Sequence, residues 1–209
     1  MFKEYVLSNY VSKDYNGIEH SFEEKVIEKD IVLTKVDKLL INSNGNLIIG
    51  NAIRQNLIGV QVDDTTNTTN AVEIIGNQIE SAKAFTLYGV YLLGVNSIVL
   101  NGNRIELTQG TAHIFVNSSG THTANYNQII SNVCEGTVAG VILGDGVGSN
   151  QVNYTDLIGG RAVSLVVNSD ASYLIAKIGY GAYGSSITNS STTSYIDYLG
   201  NLSFSAGIT

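Results

Sequence analysis

Proline is absent from this 209-residue chain, and so is tryptophan. Average usage would place about ten prolines in a chain of this length. Charged residues are also scarce, at 14% of the chain against a usual share of about a quarter. Glycine numbers 22 and asparagine is equally frequent, while β-branched and aliphatic residues occur throughout. This composition favours many short strands joined by tight turns and disfavours helical and α/β folds.

The chain also lacks the features that mark several partners and compartments. Its net charge of −7, with Lys and Arg scattered, argues against nucleic acid as a partner. No apolar run reaches the roughly 18 residues of a membrane helix, so we expect no membrane insertion. The N-terminus has no basic start followed by an apolar stretch, and we expect no signal peptide. The single cysteine, Cys134, cannot form an internal disulfide and is expected to be a buried structural thiol.

Charge is concentrated at the start of the chain. Residues 1–38 carry about half of all charged side chains, and the rest of the chain is nearly uncharged by comparison. Open sheet ends invite aggregation, and a charged segment that covers such an end prevents it. We therefore interpret residues 1–38 as an N-terminal cap.

A sequence repeat follows this charged segment. Three copies align without gaps and begin 26 residues apart: LIIGNAIR (47–54), EIIGNQIE (73–80) and VLNGNRIE (99–106). Weaker copies, NYNQII (125–130) and QVNYTDLI (151–158), continue the repeat, and a second apolar run follows each copy. A period of 20 to 30 residues without helical patterns predicts a β-solenoid of about five coils. The alternative is an antiparallel sandwich with coincidental GN turns.

The repeated positions predict a role for each residue type. Isoleucines on both sides of the GN pair should point inward, and glycine permits the positive φ of a corner. Asparagine can hydrogen-bond its own copies, so we predict a structural ladder of Asn51, Asn77 and Asn103. Asn127 and Asn153 are expected at the same position in the weaker copies. Proline would remove hydrogen bonds between coils, which accounts for its absence.

The I-x-G-N-x-I repeats resemble the right-handed parallel β-helix of pectate-lyase-like proteins and bacteriophage tailspikes. The resemblance covers roughly residues 39–170 and implies an all-β, right-handed parallel β-helix with a period of about 26. Residues 171–209 leave the period and are rich in Tyr, Ser, Thr and Gly, like the C-terminal capping or trimerisation strands of tailspikes. We therefore expect an N-terminal cap (1–38), the β-helix (39–170) and a C-terminal capping or trimerisation segment (171–209).

Glu80 and Glu106 occupy equivalent positions in successive coils, so their Cα atoms should lie about 4.8 Å apart. Retaining glycosidases use paired carboxylates at about this separation, which makes Glu80 and Glu106 the candidate catalytic pair. The alternative is a solvated column in which Arg54 offsets two acids. Arg54, Tyr88 and Tyr91 are candidate substrate-binding residues, because tyrosine combines a flat apolar face with a hydroxyl group.

Other polar residues give weaker signals. Asp63 and Asp145 end strands, where Asp is ordinarily a turn former, and they belong to coils that are not adjacent. In a trimer they could face a groove between subunits. His113 aligns with a valine of the other coils and is expected to pack. The GDGVG turn (144–148) precedes neither a basic residue nor a helix, which argues against a phosphate site. The histidines lack metal-ligand spacing, so we expect no metal and no cofactor.

The resemblance implies a receptor-binding module of a tailspike or tail appendage on the virion. Such a module forms a homotrimer and recognises a host cell-surface polysaccharide, and many relatives also cleave it. Whether this chain is an enzyme is left open by its residues. Two alternatives belong to other classes: a structural or trimerisation-chaperone subunit without glycan activity, and a monomeric pectate-lyase-like enzyme.

Overall fold

The computed structural model describes most of the chain and shows only β-strands as regular structure in those residues. The described residues are 45–54, 58–64, 71–81, 87–119, 121–148, 151–179 and 183–199, with strand segments between residues 4 and 41.

The strands are short and follow one another closely. The first nine are β1 (Glu4–Leu7), β2 (Ser12–Lys13), β3 (Glu19–His20), β4 (Val26–Ile27), β5 (Val32–Thr34), β6 (Lys38–Ile41), β7 (Leu47–Ile49), β8 (Ala52–Arg54) and β9 (Ile58–Asp63). The next are β10 (Glu73–Ile75), β11 (Gln78–Ser81), β12 (Tyr88–Leu93), β13 (Val99–Asn101), β14 (Arg104–Leu107), β15 (Ala112–Asn117), β16 (Ala124–Asn125), β17 (Gln128–Ile130), β18 (Val133–Gly136) and β19 (Ala139–Leu143). The last are β20 (Val152–Asn153), β21 (Asp156–Ile158), β22 (Ala162–Val167), β23 (Ala171–Ser172), β24 (Ile175–Gly179), β25 (Tyr183–Asn189) and β26 (Tyr195–Leu199).

Three parallel sheets form the walls of a solenoid. Sheet 1 has the order β1-β6-β9-β12-β15-β19-β22-β25, sheet 2 has β4-β7-β10-β13-β17-β21-β24-β26, and sheet 3 has β5-β8-β11-β14-β18. A smaller parallel sheet, β16-β20-β23, lines one corner, and β2 pairs with β3 in antiparallel fashion. A repeating coil contributes one strand to sheet 2, then to sheet 3, then to sheet 1, as β10, β11 and β12 do. The chain is thus an all-β, right-handed parallel β-helix, which confirms the fold predicted from the repeat.

The core lies between the sheets and is built from stacked aliphatic side chains. Ile74 on sheet 2 and Ile79 on sheet 3 flank the GN corner of their coil, and both are buried, as predicted. Each pairs in register with its copies in the coils before and after. Burying one such side chain stabilises the fold by about 1.5–3 kcal/mol. Cys134 continues the sheet 3 column below Ile105 and is buried, which confirms its predicted structural role.

Coil length varies along the solenoid. Two steps of 26 residues are followed by steps of 29 and 28, and then by steps of 19 and 20. The sheet 2 partners that define these steps are Leu47, Glu73, Val99, Gln128, Asp156, Ile175 and Tyr195.

The strands near both ends of the described chain join the same walls. Within residues 1–38, β1, β4 and β5 pair in parallel with β6, β7 and β8. After residue 170, β24 pairs with β21, β25 with β22, and β26 with β24. The division into cap, β-helix and C-terminal segment stays a prediction.

Candidate functional site

A column of buried asparagines runs along the corner between sheets 2 and 3. Asn77 Oδ1 accepts hydrogen bonds from the backbone and side-chain amides of Asn51, at 2.9 and 3.1 Å. Asn103 Oδ1 accepts the same two bonds from Asn77, both at 3.0 Å. Each of these asparagines follows a glycine with φ between +62° and +67°, where a residue without a Cβ is least strained. The column joins the amides of successive corners to one another.

The fourth member of this column is Asn132, and the expectation for Asn127 is wrong. Asn132 Oδ1 accepts from Asn103 N at 3.0 Å and from Asn103 Nδ2 at 2.9 Å. Asn127 lies immediately before β17 instead, where its Oδ1 accepts from Ile98 N. Asn153 belongs to a different corner and donates to Asn125 Oδ1. The physical reason is that the fourth coil is longer, with 29 residues separating the paired asparagines.

The candidate catalytic pair lies on the outer face of sheet 3. Glu80 and Glu106 are register partners in β11 and β14, and Glu106 in turn pairs with Glu135 of β18. Arg54 pairs with Glu80 in register, and its Nε lies 3.4 Å from Glu80 Oε2. The neighbouring Gln78 donates to the other oxygen of Glu80.

A network of ion pairs continues along the outer face of sheet 3 from Glu106 to Glu135. Arg104 lies 3.3 Å from Glu106 and 2.8 Å from Glu135, and Arg161 also contacts Glu135. Hydrogen bonds from Arg104 and Arg161 hold the pKa of Glu135 below its ordinary value. An acid with a lowered pKa is a poor proton donor near neutral pH. The assignment of Glu80 and Glu106 as catalytic residues stays a prediction.

A second cluster lies on the outer face of sheet 1 and contains two of the predicted binding residues. The ring centroids of Tyr88 and Tyr91 are 4.7 Å apart, and Tyr88 lies 5.1 Å from Phe115. Tyr91 and Phe115 are register partners whose rings are 5.4 Å apart and within 4° of parallel. Both tyrosines are partly exposed, whereas Phe115 is almost covered. We call these three rings the aromatic platform.

Two acid–amide pairs flank the aromatic platform along the solenoid axis. On the β9 side, Gln61 is the register partner of Tyr91 and donates to Asp63 at 3.0 Å. On the β19 side, Asn117 donates from Nδ2 to Asp145 at 3.0 Å. Asp63 and Asp145 therefore lie on opposite sides of the platform and do not pair with each other.

Asn117 is the most unusual polar residue of this cluster. It is 8% exposed, and its Oδ1 is buried without a hydrogen-bond partner among the described residues. A buried acceptor without a partner is costly by about 1–3 kcal/mol, and such groups commonly bind an ordered water or a ligand. The Nδ2 bond to Asp145 fixes which end of the amide is the acceptor.

The electrostatic environment of the platform is acidic. Burial, followed by the nearby Tyr88, Asp63 and Asp145 in that order of effect, raises the pKa of Tyr91 to about 12. Tyr91 therefore keeps its proton at neutral pH. Strands β9, β12, β15, β19 and β22 contain no Lys or Arg. All three arginines of the chain lie instead among the glutamates of sheet 3.

The backbone beneath the platform is fixed by close contacts between coils. A Cβ at Gly89 would lie 2.4 Å from Ile105 Cγ2 and 2.7 Å from the carbonyl oxygen of His113. Only glycine therefore fits between the two aromatic-bearing strands at this point.

His113 is buried, as predicted, but the valine alignment was wrong. It precedes Ile114, which pairs with Val90, so His113 occupies the position of Gly89 in the neighbouring coil. Its Nδ1 lies 2.9 Å from Ala139 O and its Nε2 lies 2.8 Å from Glu135 O. The ring thus bridges to the next coil and is a structural residue.

The loop that carries Asp145 is held by the buried carboxylate of Asp170. Asp170 is fully buried and accepts from Asp145 N at 3.1 Å and from Gly146 N at 2.8 Å. A Cβ at Gly144, whose φ is +77°, would lie 2.2 Å from the Asp170 carboxylate. Asp145 Oδ1 also accepts from Val147 N at 2.8 Å, so its side chain is fixed in place.

A third aromatic feature occupies the corner beside β16, β20 and β23. Tyr126, Tyr154 and Tyr173 stack with centroids 5.0 and 4.9 Å apart and planes within 8° of parallel. All three have φ between +52° and +56°, a conformation that costs a bulky residue about 1–3 kcal/mol. Each ring is about half exposed. We call these residues the tyrosine column.

Two other kinds of feature are missing from the described part of the chain. Those residues contain no group of three or more His, Cys, Asp or Glu side chains placed to hold a metal ion. They also contain no helix long and apolar enough to cross a membrane.

The alignment of the apolar runs carried a signal for part of the missed site. Phe115 is the fourth residue of AHIFV, so this run has to be shifted by one residue to place Phe115 beside Tyr91. Gln61 and Tyr91 occupy the middle of GVQVD and GVYLL, so their shared outward column was readable. The contact between Asn117 and Asp145 was not, because it depends on the length of the intervening loop.

Comparisons of the chain with protein-family models, curated proteins and solved structures found no significant match.

Proposed function

We propose that this chain is a glycan-binding module that uses the outer face of sheet 1. The observation that carries the proposal is the aromatic platform set between two hydrogen-bonded acid–amide pairs. Tyrosine presents apolar carbon and a hydroxyl together, which suits a sugar with C–H groups on one face and hydroxyls at its rim. Side chains fixed by neighbours lose little entropy on binding.

The dimensions of the surface favour an oligosaccharide. Its residues lie on four successive strands of sheet 1, from Gln61 on β9 to the loop after β19. At about 4.8 Å per strand this spans about 14 Å. A surface of that length fits a chain of several sugars.

The biological setting that we propose is a tailspike-type receptor-binding module of a phage tail. In it the chain forms a homotrimer that recognises a host cell-surface polysaccharide on the outside of the cell. Support comes from the parallel β-helix fold and from the repeats that resemble tailspikes. Light scattering tests the trimer, and a monomer would remove the spike setting while leaving glycan binding open.

The test of glycan binding compares wild type with Tyr91→Ala on a panel of capsular and cell-wall polysaccharides. We expect Tyr91→Ala to weaken binding about 5-fold or more, because loss of an aromatic contact costs about 1–3 kcal/mol. Tyr154→Ala removes an exposed tyrosine from the tyrosine column and is the matched control. Binding that survives Tyr91→Ala but is lost in Tyr154→Ala would place the glycan site at the tyrosine column instead. If no variant bound any polysaccharide, a structural subunit would be favoured.

Cleavage of the bound glycan is a second candidate function. One observation favours it: Glu80 and Glu106 are register partners on adjacent strands. Reducing ends released from a bound polysaccharide would measure cleavage. Retained release by Glu80→Gln/Glu106→Gln would remove these two residues from the chemistry.

A further inference from the structure

We propose that the aromatic platform selects neutral or amine-bearing glycans and rejects glycans that carry carboxylate or phosphate groups. This inference rests on the proposed glycan binding and names the ligand class of the same site. The residues on which this selectivity depends lie outside the I-x-G-N-x-I repeats.

The polar groups around the platform are mainly hydrogen-bond acceptors. Asp63 and Asp145 are carboxylates, and each accepts a hydrogen bond from a side-chain amide. An ionised carboxylate has only acceptor sites. Asn117 contributes a buried carbonyl oxygen with no partner among the described residues. A ligand that satisfies these atoms, directly or through a bridging water, must donate hydrogen bonds. Sugar hydroxyls and ammonium groups donate, whereas carboxylates and phosphates only accept.

The charge around the platform acts in the same direction. Two carboxylates flank it, and the strands beneath it contain no cation that could offset them. The arginines that would attract an anionic sugar are held by glutamates on sheet 3. An anionic sugar on the platform would therefore meet like charges on both sides, while an ammonium group would be attracted to both.

The loop that positions Asp145 shows that this charge is built into the surface. Asp170 fixes the Asp145 backbone, and Val147 N and Asn117 Nδ2 fix its side chain. Asp145 therefore cannot turn away when a ligand arrives without breaking these bonds. The negative charge of Asp145 therefore stays in place and repels an anionic ligand.

The experiment measures binding of wild type, Tyr91→Ala and Asp63→Asn/Asp145→Asn to one glycan panel. The panel contains three charge classes at matched length: N-acetylglucosamine pentamer, glucosamine pentamer and mannuronate pentamer, with bacterial polysaccharides of each class. Glu73→Gln removes one exposed charge from sheet 2 and is the control for net charge. Titrations at low and high salt separate charge effects from contact effects.

We expect wild type to bind neutral or amine-bearing members more tightly than the anionic ones. The double asparagine variant should bind amine-bearing glycans about 3- to 10-fold more weakly and anionic ones more tightly by a similar factor, with neutral ones nearly unchanged. These changes should vanish in about 0.5 M salt. Glu73→Gln should change none of them.

Two outcomes overturn the inference, and they differ from failure of the proposed function. Anionic glycans that bind wild type and are lost in Tyr91→Ala would show the opposite selectivity at the right site. An unchanged charge preference in the double variant would show that the two aspartates do not set it. No binding to any panel member, or binding that survives Tyr91→Ala, would instead refute the platform as the glycan site, and the selectivity with it.

Discussion

Buried asparagine side chains hydrogen-bond each coil to the next. Asn77 is 1% exposed, and its side chain bonds Asn51 in the coil before, Asn103 in the coil after and the carbonyl oxygen of Ile48. A side-chain amide both donates and accepts hydrogen bonds. Asparagine can therefore repeat along a column in which each amide bonds the next one. This explains how corner amides remain bonded in a chain that has so few charged or hydroxyl groups in its core.

Replacing Asn77 with alanine should lower the free energy of unfolding by about 2–5 kcal/mol. The change removes several buried hydrogen bonds, among them those that Asn77 Oδ1 accepts from the backbone and side-chain amides of Asn51. Denaturant unfolding measures the loss. Asn101→Ala is the matched control, because Asn101 lies on the outer face of sheet 2, and we expect it to cost under about 1 kcal/mol. Equal losses in the two variants would contradict a stabilising role for the asparagine column.

At the level of single elements, the ion pairs found between described residues lie on the outer face of sheet 3. Its outer face joins β14 and β18 through Arg104 and Glu135, and Arg161 extends the contact toward the next coil. These side chains are exposed, so each pair contributes little by itself. Their contribution to stability nevertheless depends on pH, because the pKa of Glu135 is lowered in the folded chain.

The stabilisation by Glu135 should disappear in acid. A carboxylate whose pKa is lower in the folded than in the unfolded chain stabilises the fold above its ordinary pKa, and this contribution is lost as pH falls through the folded value. Calorimetric Tm values of wild type and Glu135→Gln should therefore differ at pH 7 and converge toward pH 3. Glu73→Gln serves as the control for loss of an exposed acid. A gap between wild type and Glu135→Gln that widens on acidification would refute this linkage.

At the level of the whole molecule, each coil contacts mainly its two neighbours. Stability of such an array is a sum of coil and interface contributions, so one broken interface can divide the stack. Val133 lies at such an interface, and its backbone N–H donates to Asn103 O at 2.8 Å. The complete absence of proline from the chain is consistent with a requirement for every such bond.

Val133→Pro should lower the free energy of unfolding by about 3 kcal/mol or more, or split unfolding into two transitions. Proline removes the donor and cannot adopt the strand geometry without disturbing the coil before it. Val133→Thr keeps the N–H and the branched side chain and should stay within about 1 kcal/mol of wild type. Calorimetry distinguishes one transition from two. A proline variant as stable as the threonine variant would show that this bond is dispensable.

The fold was readable from the sequence because its determinants are local and repeat at a fixed distance. Glycine at a corner with positive φ, the asparagine after it and an inward isoleucine on each side suffice to define one coil. The fourth coil was misaligned because Ser131, with φ of +53°, replaces glycine there and the coil is three residues longer. The matching string was Ile129 to Asn132, which reads IISN against the IIGN of the second copy.

The candidate site was readable only in part, and for a similar reason. Tyr88 and Tyr91 lie within a repeated strand, so their outward positions followed from the pattern. Asn117 and Asp145 meet across the ends of two strands, and their contact depends on how far the connecting chain travels between coils. Sequence spacing alone does not give that distance.

In this solenoid the number of residues in a coil varies while the strand register stays constant. Successive coils take from 19 to 29 residues, yet sheet 2 keeps its register through all of them. Extra residues therefore extend sideways from the wall and do not displace the coils above or below. A longer excursion after Asn117, the last residue of β15, would therefore change the edge of the aromatic platform, while the wall that carries the platform stays as it is.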